Sequence, residues 1–241
     1  MPPTSTIILI QLSLFIAAMT QTTFGFGSAI VAMPLLLLMI SPSTATPLVA
    51  LIGIILSGSI AISSWRSIDW KATWRILLAS TIAAPLGVLL LLYAEEDLIR
   101  AILGWMLVLY GIYCLLPFDF IHLKNDNWAF PFGFLGGVLG SAFNINGPPV
   151  LIYGTLRHWP PAEFRASLSG YFLPSGIIVA LSHFAGGLWT PEVWKFFLIS
   201  LPGTAVAVWL GSRLNKRLDP ARFKTTLYFL IIGMGIMMLV L

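Results

Sequence analysis

Two short stretches carry the uncharged hydrogen-bonding side chains placed where this chain is otherwise apolar. One holds Thr22, Thr23 and Ser28 around Gly25 and Gly27, and the other holds Ser141, Asn144 and Asn146 ahead of Gly147-Pro148-Pro149. Hydroxyls and carboxamides beside helix-breaking residues suit the holding of a small anion. A helix that restarts inside a membrane presents free backbone N–H groups and about half a positive charge at its first turn. Ser28 can open such a helix as its cap, and Pro148 behind Asn146-Gly147 suits a first helical position. Two starts approaching from opposite sides would bind an anion with no buried Lys or Arg.

Reactive chemistry finds little support. There is no Gly-Lys-Ser/Thr phosphate loop, no clustered His, Cys or carboxylate set for a metal, and no Ser/His/Asp arrangement. Cys114 is the lone cysteine, so no intrachain disulfide can form. No cofactor is expected. No Asp or Glu falls in the middle of an apolar run, so the carboxylate relay of a proton-coupled pump is missing.

The elements that must position these residues are membrane helices. The first charged side chain is Arg66, and everything before it is apolar, small or uncharged polar. One charge at a bilayer centre costs roughly 2.5–3.5 kcal/mol on insertion scales, so charge-free runs of this length mark lipid as the solvent. Apolar runs and their punctuation predict helices at Ser5–Thr23, Ser28–Ile40, Ser43–Ser64, Ala72–Tyr93, Leu98–Pro117, Trp128–Phe143, Pro148–Arg157, Ala162–Phe184, Pro191–Gly211 and Ala221–Leu241. Tryptophan and tyrosine lie near many of the ends, as an interfacial belt would have them. The positive excess belongs to cytoplasmic loops and calls for no nucleic-acid partner. The first apolar stretch lacks the basic flank of a signal peptide and reads as a retained helix.

Residues 5–40 and 128–157 are each too long for one crossing and too short for two. If each crosses once, the 13 Lys and Arg divide five against eight, which is no bias. If each enters and returns as a hairpin with a short second limb, they divide eleven against two. The second division obeys the positive-inside rule and puts both termini outside the cytoplasm. It also gives residues 1–117 and 128–241 the same order of elements, with 118–127 as a cytoplasmic linker. An odd number of passes per half makes the second copy inverted. The expected fold is therefore an all-α integral membrane protein of two inverted-topology repeats, each an interrupted hairpin plus three transmembrane helices. Inverted repeats with paired, Gly/Pro-interrupted segments point to a transporter's binding site.

Each of these residues also has a plainer reading. Small residues let membrane helices pack closely, and Asn or Thr often only bridges neighbouring helices. Arg165 stands at the cytoplasmic start of a helix, where it attracts an anion or simply pairs with Glu163. His183 reads as interfacial, with a proton relay as the alternative; His122 and His158 read as loop residues.

The stretch Thr22-Thr23-Phe24-Gly25-Phe26-Gly27-Ser28-Ala29 through Met33-Pro34-Leu35-Leu36 resembles the first repeat motif of the TauE/SafE sulfite exporter family, also called the 4-toluene sulfonate uptake permease group. Gly136-Gly137-Val138-Leu139-Gly140-Ser141 through Asn146-Gly147-Pro148-Pro149, then Phe164-Arg165-Ala166-Ser167, resembles the second. The family pattern has a denser glycine run where this chain has Ser28-Ala29 and Phe143-Asn144-Ile145. The resemblance implies a multi-pass protein of a bacterial inner membrane that moves sulfur-containing anions such as sulfite, sulfoacetate or other sulfonates. The expected partners are that small anion and membrane lipid, with a homo-oligomer left open. Export of such an anion leads; uptake of another organic anion and a non-transporting membrane subunit are the alternatives.

Overall fold

The computed structural model describes residues 3–64, 70–116, 122–159, 161–214 and 220–240. Arg66, Pro117, Lys216, Arg217 and Asp219 lie outside the described residues, as do the side chains of Lys71, Arg165, Arg222 and Lys224. Within them the chain is helical and has no strand. The helices are α1 (Thr4–Phe24), α2 (Ser28–Leu36), α3 (Pro42–Ser64), α4 (Trp70–Tyr93), α5 (Glu96–Leu115), α6 (Ala129–Phe143), α7 (Gly147–Leu156), α8 (Pro161–Ala185), α9 (Pro191–Leu214) and α10 (Pro220–Val240). Four of them, α3, α8, α9 and α10, open on proline, whose missing N–H costs nothing at a first helical position. Among the described residues, five helices are long and apolar enough to cross a membrane, α1, α3, α4, α5 and α9, and the described parts of α8 and α10 are shorter apolar helices.

The two expected interruptions are present. Helix α1 stops where Gly25 takes a φ of 87°, and Gly27 at φ 100° turns the chain into α2. Both values suit glycine and strain a residue with a Cβ. Asn144, at φ 56°, ends α6 in the same left-handed conformation, which asparagine tolerates better than most residues. Helix α2 ends at Leu36, four residues short of the expected Ile40, two residues past an interior proline, Pro34. At 1.5 Å per residue, α2 and α7 are each about 15 Å long, half a hydrocarbon thickness.

The bundle is built from paired helices. Helix α7 folds back along α6: a Cβ on Gly140 would meet Asn146 Cβ at 3.0 Å, and one on Gly136 would meet Val150 Cγ2 at 3.7 Å. Helices α4 and α6 run parallel and close, Gly133 against Ile76 and Gly137 against Ser80. Helix α1 packs on α9 with Thr22 against Gly211. Helices α5 and α10 run antiparallel, Gly104 against Gly235 and Gly111 against Ile232. Helices α3 and α8 are also antiparallel, Gly58 near Leu173 and Gly176 near Ile54. Backbone approaches this close need residues without side chains, which is how membrane helices gain packing when lipid supplies no hydrophobic driving force. Leucines and aromatics such as Ile82, Leu109, Phe184 and Phe229 face outward, as lipid permits.

Candidate substrate site

Both interruptions open onto one cavity of about 510 Å³, its open mouth included. Gly27, Ser28, Asn144, Asn146, Gly147 and Pro148 line it, together with Gln21 and Phe26 from the first hairpin. Ala50, Gly53 and Ser57 of α3 and Phe172 and Gly176 of α8 complete the walls. Among the described residues none that lines it is charged.

Neither helix start is capped by a side chain. In α2 the amides of Ser28, Ala29 and Ile30 precede the first intrahelical bond, Val31 N–H to Gly27 C=O at 3.2 Å, so three donors are left for a guest. Helix α7 differs. Pro148 and Pro149 have no N–H, and Gly147 is the one amide of its first three helical residues. Each start offers free amides, but unequally: three on α2 and one on α7, whose first turn otherwise has only its dipole.

Side-chain polarity surrounds this start. The buried Gln21 accepts a short hydrogen bond from Ser28 Oγ and donates from Nε2 to Ser57 Oγ at 3.2 Å. Asn146 Nδ2 donates to Ser175 Oγ at 2.8 Å. Behind it, Ser80 Oγ donates to the Gly133 carbonyl at 2.7 Å, so the fully buried Tyr171 donates its hydroxyl to Ser80 across 2.9 Å. Gly53 makes room for Asn144, whose Nδ2 would stand 3.3 Å from a Cβ placed there.

The remaining expected site residues lie elsewhere. Thr22 donates to the Ala18 carbonyl at 2.7 Å and presses on Gly211; Thr23 reaches the Gly211 carbonyl at 3.5 Å. Ser141 is fully buried against Gly87 of α4. These three join helices, and with Gly25 they are not among the cavity's lining residues. The side chain of Arg165 lies outside the described residues. His183, two residues before the end of α8, is wholly buried, with Nε2 2.7 Å from the Ser141 carbonyl. His122 and His158 are in loops, as expected, with their Nδ1 atoms 2.7 Å apart. Sequence reading missed Gln21, Gly53 and Ser57. Gln21, a carboxamide one residue before Thr22 in a charge-free run, was the available signal.

Long apolar helices joined by close glycine contacts, with two broken hairpins meeting at a polar cavity, fit the class of multi-pass membrane transporters. Residues 10–238 match the family described as Sulfite exporter TauE/SafE, and the chain belongs to that family, as the motif resemblance led one to expect. It is 25% identical over 220 residues to the "Probable sulfite/organosulfonate exporter TauE" of Cupriavidus necator, covering 90% of this chain and 86% of that one. It is also 25% identical over 175 residues to the "Probable inner membrane transporter protein TsaS" of Comamonas testosteroni, covering 72% and 73% of the two chains. No solved structure matches it.

Proposed function

We propose that the protein exports a small sulfur-containing anion, sulfite or an organosulfonate such as sulfoacetate, from a bacterial cell. The anion is held at the cavity between the two hairpin tips. The observation that carries this reading is the convergence of two uncapped helix starts on one cavity that no charged residue lines among the described residues. The amides of Ser28, Ala29 and Ile30, with the Gln21, Ser28 and Asn144 side chains, serve the anionic head, while Phe26 and Phe172 face any organic remainder. The printed name of the Cupriavidus relative supports the substrate class.

The mechanism is alternating access by two inverted repeats, residues 1–117 and 128–241, joined by 118–127, with both termini outside. The helix directions support this threading. Antiparallel α5/α10 and α3/α8 pairs fit hairpins that enter and return; single crossings would make both pairs parallel. The reciprocal contacts Thr22–Gly211 and Ser141–Gly87, each two residues before a hairpin tip, support equivalence of the halves.

An inside-negative membrane drives each exported negative charge outward by about 2.3 kcal/mol per 100 mV, and a dianion gains roughly twice that. Export then needs no proton relay. In proteoliposomes, sulfite efflux should follow an imposed potassium diffusion potential. A flux that answers a proton gradient but ignores voltage would refute the uncoupled mechanism. A flux or thermal-shift screen against sulfite, sulfate, sulfonates and simple carboxylates tests the substrate class: response to carboxylates alone would refute it.

A further inference from the structure

Helix α6 ends at Phe143, so the carbonyls of Ser141 and Ala142 have no partner within the helix. At membrane depth such groups must find donors elsewhere. They find them on two different helices. His183 of α8 approaches the Ser141 carbonyl with Nε2 at 2.7 Å, and Thr46 of α3 donates to the Ala142 carbonyl at 3.2 Å. A carbonyl only accepts, so the His183 proton is on Nε2. Both donors are fully buried.

The position of these bonds along α3 and α8 matters. The cavity is lined by Ala50, Gly53 and Ser57 of α3 and by Phe172 and Gly176 in the middle of α8. Thr46 and His183 lie at the opposite ends of the same two antiparallel helices. Between them, Ala50, Val179 and Ala180 pack as a small separate apolar cluster. On the cavity side, the first hairpin is tied to α3 by the Gln21–Ser57 bond, whose partners both line the cavity, so water can take either place. On the far side the ties are dry.

We propose that His183 and Thr46 are positioning residues forming a two-point latch. It pins the second hairpin tip to α3 and α8 and keeps the far face of the cavity shut; transport requires its release. The latch rests on the transport reading above.

The test places one thiol, Gly176→Cys, in the cavity wall in a Cys114→Ser background; a Cβ there makes an ordinary contact with Ile54 Cγ1 at 3.8 Å. Labelling by a membrane-impermeant thiol reagent is followed in whole cells and in inverted vesicles. With the latch intact, G176C should react from one face alone. Adding H183A and T46V should raise labelling from the other face at least tenfold. H183Q, whose amide can donate to the same carbonyl, should restore one-sided labelling. If H183A does not fold, T46V alone, which keeps the side-chain shape, should still give a several-fold rise. Unchanged second-face labelling in the latch variants, with the first face still reactive, overturns the latch and leaves the cavity standing. Protection of G176C from both faces with the latch intact overturns the cavity as a substrate site, and the latch with it.

Discussion

Replacing Gly137 by alanine should destabilise the protein by about 3 kcal/mol, whereas the same change at Gly203 should cost nothing measurable. A Cβ on Gly137 would lie 2.6 Å from Ser80 Cα and 2.8 Å from Ser80 C. Carbon pairs are at ease near 3.5–4.0 Å, so the new methyl is about 1 Å too close. The obstacle is backbone, so no side chain can rotate away. Helices α4 and α6 cannot tilt apart either, because Gly133 lies against Ile76 one turn earlier and Gly87 against Ser141 at the far end. Overpacking typically costs about 1–3 kcal/mol, and a clash with immovable neighbours belongs at the top of that range. A Cβ on Gly203 meets nothing within 4 Å. Thermal unfolding in detergent, followed by fluorescence-detected size exclusion, gives both midpoints. The reasoning is refuted if G137A melts with the parent, or if G203A loses as much as G137A.

The Q21L variant removes the partner of both Ser28 and Ser57; with about 1 kcal/mol for each hydrogen bond and some relief from water, sulfite binding by calorimetry should weaken roughly tenfold. The G53L variant points its side chain at Asn144 and into the cavity, so binding should be lost while the melting midpoint stays within a few degrees of the parent. Asp126 bridges Arg75 and Arg157, but all three side chains are at least one-fifth exposed, so D126N should cost under about 1 kcal/mol and leave transport intact. Melting of D126N at low and high salt checks this: a loss of several kcal/mol would show the triad to be structural.

The breaks could be read from residue types because they depend on backbone chemistry. Gly25, Gly27 and Gly147-Pro148-Pro149 punctuate apolar runs, and the structure ends and restarts helices there. Family membership followed from the same residues. Side-chain direction could not be read. In a soluble helix, polarity marks the outward face, but a membrane helix is apolar all round, so Thr22 or Ser141 gives no sign of which neighbour it meets. Those two side chains turn to α9 and α4, while Gln21 turns to the cavity. Gly53 and Ser57 were hidden in a helix with no break to draw the eye. The partner of His183 was hidden for a related reason: it is a carbonyl 42 residues away, visible only once α6 and α8 are side by side.

Pro148 and Pro149 leave the second tip with little to give a guest beyond the pull of its dipole. On the proposed reading, cargo leans toward the first tip. A carrier lopsided in this way would grip unequally when its mouth faces opposite compartments, so loading and letting go would differ in affinity.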